Sequence, residues 1–200
     1  EIRHNDIKPM AECGKPVIYL YPEEPTDVSV KVLIDELTVT DPYYGEDGWF
    51  VRAFTDGTIF NYADSGTYPY LFWEGQKKGG LSPTKGFVIA REEVETFLDS
   101  SLAEMGLNET EEADFVGFWL SKILENKEPY FLFSFFGTQD FNKIAPLEIT
   151  PKPDTLLRVF MYYDPLDEPK FILPQELKGV DRTGFTVVEW GGTSSVPWQK

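Results

Sequence analysis

Two glutamates stand out among the residues able to do chemistry, because each lies beside a tryptophan at the end of a predicted strand. Glu74 follows Trp73, and Glu189 precedes Trp190, with glycines close behind both pairs. If both carboxylates face one cleft, they can act as acid and base on a sugar held by aromatic rings. Neighbouring residues on a strand point to opposite faces, however, so burying either tryptophan turns its glutamate towards water. We name Glu74 and Glu189 as candidate catalytic residues. The alternative is that each glutamate faces water only because the tryptophan beside it is buried.

A second chemical feature is an acidic loop rich in turn residues. It carries Asp41, Glu46 and Asp47 among prolines and glycines. Several carboxylates on one loop can hold calcium, which takes about six to eight oxygen ligands. The spacing of an EF-hand is absent, and solvated turn carboxylates are the commoner case. The sequence therefore predicts no cofactor, with calcium at this loop as the alternative.

Aromatic residues accompany both features and suggest a binding surface. Tyr43 and Tyr44 lie within the acidic loop, and Trp73 and Trp190 flank the two glutamates. Such rings suit a glycan or protein ligand. The same residues can belong to the core, since large aromatic side chains are mostly buried.

Composition removes several other classes of function. Lys and Arg number 18 against 34 Asp and Glu, and the formal charge of −16 disfavours nucleic acid as a partner. The chain has one histidine, His4, and one cysteine, Cys13, which leaves too few residues for a Cys/His zinc site. No stretch reaches the roughly twenty apolar residues of a membrane-spanning helix. The acidity, together with a first residue that is not Met, favours an exported, periplasmic or envelope protein whose targeting segment has been removed.

The elements that would position these residues are mainly strands. The apolar run 16–22 predicts a strand covered on both faces, around which the rest of the chain packs. Asp56-Gly57 predicts a hairpin turn, and 130–136 predicts a central strand. Helices are predicted over 92–105, ending at Gly106, and after Asn108, which begins a capping box.

These elements predict an α+β fold, predominantly antiparallel, with a sandwich-like first part and two helices packed on one face. We expect one compact domain over 1–200, with 1–14 as an N-terminal arm. A possible subdivision separates a sandwich-like part, 15–75, from an α+β part, 86–192, at the loop rich in glycine and lysine.

Three strings give the chain a family resemblance: KPVIYLYP from Lys15, YLFWE from Tyr70 and GFTVVEWGG from Gly184. They are similar to segments that occur in the same order in a family of uncharacterised bacterial proteins. The resemblance implies a shared architecture over nearly the whole chain. It transfers no activity and no site residue.

The sequence thus favours a binding or surface-associated module without catalytic activity, because ready nucleophiles, histidine bases and cofactor fingerprints are missing. The alternative is a carboxylate-dependent hydrolase that acts on carbohydrate through Glu74 and Glu189. Glutamates on opposite faces, or paired with Lys or Arg, would favour the binding module over the hydrolase.

Overall fold

The structure, a computed structural model, describes residues 11–77 and 82–196. In chain order the strands of this part are β1 (Ala11–Tyr21), β2 (Thr26–Val32), β3 (Glu36–Asp41), β4 (Trp49–Ala53), β5 (Ile59–Asn61), β6 (Gly66–Tyr68), β7 (Leu71–Lys77), β8 (Lys85–Ala90), β9 (Tyr130–Phe136), β10 (Leu147–Thr150), β11 (Thr155–Leu166), β12 (Leu173–Pro174) and β13 (Thr186–Ser194). The helices are α1 (Val94–Met105), which follows a 3-10 turn at Arg91–Glu93, α2 (Glu109–Glu125) and α3 (Thr138–Ile144). The predicted α+β fold with mostly antiparallel strands is confirmed.

The described strands form two sheets. The large sheet has eight strands in the order β12-β8-β9-β11-β13-β1-β7-β3, and the small sheet has five in the order β10-β2-β4-β5-β6. Pairing is antiparallel except between β11 and β13 and between β12 and β8. The large sheet therefore takes strands from both 15–75 and 86–192.

Strand β1 lies inside the large sheet, between β13 and β7. Val17, Ile18 and Leu20 are fully buried, so the prediction of a strand covered on both faces is confirmed. The strand begins at Ala11, within the segment that was expected to form an arm. Residues 1–10 lie outside the described part of the chain.

Two apolar cores flank the large sheet. One lies against α1 and α2 and includes Val17, Trp119 and Trp190. The other lies against the small sheet and α3 and includes Ile18, Trp49 and Trp73. The alternating side chains of β1 thus enter a different core at every step.

The ends of the two long helices follow the expected local chemistry. Gly106 ends α1 in the left-handed conformation with φ of 94°. The Asn108 side chain accepts a hydrogen bond from the backbone N–H of Glu111, and the Glu111 side chain accepts one from the backbone N–H of Asn108. Arg182 joins Glu111 and the carbonyl of Gly106, which fixes the turn between the helices.

The sequence placed the first strands in one sandwich-like part, and the structure divides them. β1, β3 and β7 join the large sheet, whereas β2, β4, β5 and β6 form the small sheet with β10 from later in the chain. The sequence prediction did not include α3, a short helix after β9. Its buried residues Phe141 and Ile144 close one end of the core between the sheets.

Candidate functional site

The two candidate glutamates lie on opposite faces of the large sheet. Ile18 of β1 pairs with Glu189 of β13, whereas Val17 pairs with Phe72 of β7, and the two rows alternate between faces. Glu189 faces the small sheet with Trp73, and Glu74 points the other way, towards α2. The two carboxylates therefore do not face a common cleft.

Glu189 belongs to a buried polar network between the sheets. Its Oε2 accepts a hydrogen bond from Arg158 Nε at 2.5 Å, and its Oε1 accepts one from Trp73 Nε1 at 2.9 Å. Both charged side chains have zero exposed fraction. Burial raises the pKa of Glu189, and the neighbouring guanidinium and indole N–H partly offset this effect. The carboxylate is out of reach of any dissolved ligand.

Arg158 makes two further side-chain hydrogen bonds within the same network. Its Nη1 donates to Asn142 Oδ1 at 2.5 Å, and its Nη2 donates to the carbonyl of Ala145 at 2.8 Å. The guanidinium carbon also lies 3.9 Å from the centre of the Phe141 ring. These bonds hold α3 against the sheet, and a guanidinium with zero exposed fraction is out of reach of a dissolved substrate.

The two candidate tryptophans are buried in different cores. Trp73 lies in the core between the sheets and Trp190 in the core beneath the helices, each with zero exposed fraction. Both rings therefore pack the interior, and the structure does not bring them together at a surface.

The acidic loop is built as a tight turn. Trp49 Nε1 donates to the carbonyl of Pro42, and the hydroxyl of Tyr44 accepts from the backbone N–H of Val32. Tyr44 also packs edge-on against Trp49, and burial raises its pKa. Tyr43 is 66% exposed. Tyr44 therefore helps to fix the loop, whereas Tyr43 faces solvent.

The carboxylates of this loop are exposed: Asp41, Glu46 and Asp47. Within 11–77 and 82–196, no group of three or more metal-ligating side chains comes together, at this loop or elsewhere. The calcium alternative thus has no assembled set of ligands in that part of the chain.

A different set of residues converges on the helix-facing side of β1 and β7. We call it the Lys15 cluster, and its members are Lys15, Tyr19, Tyr70, Glu74, Asp114, Phe118 and Lys122. β1 and β7 supply Lys15, Tyr19 and Glu74, and Tyr70 directly precedes β7. One side of α2 supplies the last three, spaced four residues apart. Tyr19 is buried. Lys15, Tyr70, Glu74 and Asp114 are half-buried.

Aromatic side chains contact the charged groups of the cluster. The Nζ atoms of Lys15 and Lys122 lie 4.5 and 4.9 Å from the centre of the Phe118 ring. The Tyr19 hydroxyl donates to Asp114 Oδ2 at 2.8 Å, and the Tyr70 ring packs edge-on against Tyr19 with centroids 5.5 Å apart.

The electrostatics of the cluster are mixed. Burial lowers the pKa of Lys15, and Lys122 lowers it further, whereas Asp114 and Glu74 act in the opposite direction. Burial and the bond to Asp114 raise the pKa of Tyr19. Lys15 makes no direct ion pair with the described residues, although the charges of the Asp114 and Glu74 carboxylates raise its pKa.

The backbone at Lys15 is strained. Its φ is 42°, in the region that favours glycine, and it lies where the pairing register of β1 shifts between Gly14 and Val17. Strained residues of this kind are concentrated at functional sites. The bulge directs the lysine side chain towards Phe118 and α2.

The sequence pointed to Glu74 as a candidate but did not predict that these residues form one cluster. Asp114 lies one turn before Phe118, so an acid interrupts the apolar side of the helix, and that signal was available. Tyr19 was included in the strand predicted over 16–22 and treated as architecture, and Lys15 was named only as the start of a family string. Arg158 and Glu189 are charges within apolar strands, which is typical of a buried pair.

Comparisons with known proteins assign no activity. No family model matches the chain, and no solved structure matches it significantly. The chain is similar to an uncharacterised protein described as lying in the bglA 3′ region of Butyrivibrio fibrisolvens, with 42% identity over 67 residues. That match spans 30% of this chain and 65% of the relative, so the chain covers just under two thirds of it. The predicted resemblance to an uncharacterised bacterial protein is confirmed.

None of the helices in the described residues has the length and apolar character needed to cross a bilayer.

Proposed function

We propose that the protein is a binding module without catalytic activity and that the Lys15 cluster holds a glycan. The observation that carries this proposal is a set of half-buried charges beside aromatic rings, supported by a strained lysine that lacks a direct ion pair with any residue the structure describes. Burying charge without a close partner costs stability, so a protein retains it where it contacts something else.

The mixed charge of the cluster favours a neutral ligand with many hydroxyl groups. Each hydroxyl can accept a hydrogen bond from the Lys15 ammonium or donate one to the Glu74 carboxylate. A simple anion would be repelled by Glu74 and Asp114, and a simple cation by Lys15 and Lys122. Tyr70 adds a partly exposed ring that can contact the apolar face of a sugar.

The positions of the glutamates favour this proposal over the hydrolase. Glu189 is bound to Arg158 in the interior, and Glu74 lies across the sheet from it. The pair thus lacks the shared, solvent-filled space in which two carboxylates cleave a glycosidic bond.

Isothermal titration with soluble neutral gluco-, xylo-, manno- and chito-oligosaccharides tests the proposal. We expect at least one of them to bind the wild-type protein, and Glu74→Gln and Tyr70→Ala to weaken that binding about tenfold or more. Glu95→Gln is the control, because Glu95 is exposed on α1 away from the cluster.

Three results would overturn the proposal. They are no binding to any of these oligosaccharides, equal binding by Glu74→Gln and wild type, and cleavage of a bound oligosaccharide.

A further inference from the structure

The outer face of the small sheet carries aromatic residues that the Lys15 cluster does not use. Along β4, Trp49, Val51 and Ala53 are buried against the large sheet, so Phe50 and Arg52 point outwards. On the neighbouring strand β5, Phe60 points outwards by the same alternation, and Tyr62 follows the end of that strand.

These outward rings form a group that we call the aromatic platform: Phe50, Phe60 and Tyr62. Phe50 is 53% exposed and Tyr62 is 43% exposed. Their rings stack with centroids 5.2 Å apart and planes 23° apart, and Phe60 packs edge-on against Tyr62 at 5.4 Å. Three adjoining rings on an open sheet face expose more apolar surface than a scattered single residue does.

Polar contacts fix the platform in place. The Tyr62 hydroxyl donates to Asp27 Oδ1 at 2.7 Å, and Arg52 Nη1 donates to the same oxygen at 3.0 Å. The bond from Tyr62 lowers the pKa of Asp27. Because the ring is held in one orientation before any contact, a ligand that stacks on it loses less conformational entropy on binding.

The strand register surrounds the rings with hydrogen-bonding groups. Ser29 pairs with Phe50 and with Thr150, which forms one row across the sheet. Arg52 pairs with Asp27 and with Phe60, which in turn pairs with Thr67, and this forms a second row. Apolar rings thus alternate with hydroxyl, guanidinium and carboxylate groups over one face.

We propose that the aromatic platform is a second binding surface, which takes the extended chain of a polysaccharide. A pyranose has an apolar C–H face that stacks on an aromatic ring and an equatorial rim of hydroxyls that hydrogen-bond to flanking polar groups. The platform offers both in the same plane. An apolar protein partner would instead leave Asp27, Arg52 and Ser29 without new partners at the interface.

The platform and the Lys15 cluster lie on opposite sides of the molecule. The small sheet packs on one face of the large sheet and exposes its other face, whereas the cluster lies on the large sheet's helix side. The proposal therefore rests on observations independent of the first site, although both sites take ligands of one chemical class. Together they would let one molecule hold a polymer on one side and a shorter glycan on the other.

The test is retention on insoluble cellulose, chitin and xylan, together with retardation in native gels that contain a soluble polysaccharide. We expect at least one polymer to retain the wild-type protein, and Phe50→Ala and Tyr62→Ala to weaken retention about tenfold or more. Both side chains are substantially exposed, so these variants should keep the fold, which circular dichroism checks. Phe171→Ala is the matched control, because Phe171 is 87% exposed outside the platform.

Four results would overturn the proposal: no retention on any polymer, unchanged retention in both platform variants, an equal loss in Phe171→Ala, or a wild-type dimer that Phe50→Ala abolishes. Glu74→Gln separates the two proposals, since it should leave polymer retention unchanged while weakening binding of short oligosaccharides. If the Lys15 cluster binds no oligosaccharide in titration, the polymer-retention result still stands. If no polymer retains the protein, the oligosaccharide result still stands.

Discussion

At the centre of the large sheet, β11, β13, β1 and β7 carry polar side chains on its two faces, and the two faces accommodate them differently. On the face towards the small sheet, Arg158 and Glu189 are fully buried, and the guanidinium and carboxylate each have several partners. On the face towards the helices, Lys15, Glu74 and Asp114 are partly exposed, and Lys15 lacks a direct ion pair within residues 11–77 and 82–196. The first arrangement joins β7, β11 and β13 of the large sheet to α3, and the second leaves charge partly exposed to solvent.

The comparison shows that residue type alone does not distinguish a site from a structural contact. Glu74 and Glu189 have the same chemistry, and each lies next to a tryptophan in the sequence, so only the packing around each one separates them. A buried polar group with all its bonds made stabilises one arrangement, whereas a partly satisfied group exposed to solvent can bind. The following substitutions test that difference, in order of their expected effect on stability.

Arg158→Met should have the largest effect. It leaves the Glu189 carboxylate buried without its cation, and we expect the free energy of unfolding to fall by about 3–5 kcal/mol. Urea denaturation followed by tryptophan fluorescence measures the change.

Two variants control this prediction. Arg52→Met removes an exposed ion pair and should change stability by less than about 1 kcal/mol. The double variant Arg158→Met with Glu189→Leu should be more stable than Arg158→Met alone, because no unpaired charge remains buried. A double variant less stable than the single one would contradict the assignment of the network as structural.

Tyr19→Phe should have an intermediate effect on the helix-facing side. It removes the hydrogen bond to Asp114, and we expect a loss of about 1.5 kcal/mol in urea denaturation, the lower end for a bond to a charged group. Tyr62→Phe is matched to it, because Tyr62 also donates to an aspartate but at an exposed position. A loss in Tyr62→Phe as large as that in Tyr19→Phe would refute the difference in burial as its cause.

Lys15→Met should raise stability at pH 7 by less than about 1 kcal/mol, since the charge is partly screened by solvent. The pKa of Lys15 in the folded protein is lowered from 10.5, so the unfolded chain binds the proton more tightly. The charged lysine therefore destabilises the folded state at every pH below the pKa of Lys15 in the folded protein. This destabilisation disappears as the pH rises towards 10.5.

The measurement for this variant is the difference in unfolding free energy between Lys15→Met and wild type from pH 7 to pH 10.5. The advantage of Lys15→Met should shrink as pH increases, and the raised tyrosine pKa values cancel to first order because both proteins share them. An advantage that stays constant or grows with pH would contradict the assigned cause.

Glu74→Gln should have the smallest effect on stability, within about 0.5 kcal/mol by thermal denaturation, because the side chain is partly exposed. Its binding of oligosaccharide should nevertheless fall. A variant with a large loss of stability would place Glu74 with Glu189 as a structural carboxylate.

Local patterns in the sequence were sufficient for several elements of the fold. The capping box at Asn108, the glycine that ends α1, the Asp56-Gly57 hairpin and the central strand at Tyr130–Phe136 all depend on neighbouring residues. Each of these predictions is confirmed, because turn geometry and helix capping are decided within a few residues.

Long-range pairing was not predictable in the same way. The division of the first strands between two sheets depends on which strand pairs with β1 and which with β10, and alternation within a strand does not specify its partner. The Arg158–Glu189 network spans 31 residues, and the bond from Trp73 spans 116. The Lys15 cluster likewise needs α2 to cross β1, so the sequence did not predict it as one site.

The position of β13 has a consequence for how the polypeptide reaches its native state. This strand lies between β11 and β1, so the earliest and the middle strands of the large sheet become one continuous layer only through a segment near residue 190. During translation, β1 would emerge long before its neighbour exists and would remain unpaired on that edge. Completion of the sheet therefore waits until nearly all of these residues have left the ribosome, and folding is expected to be slow relative to that of helical proteins of similar size.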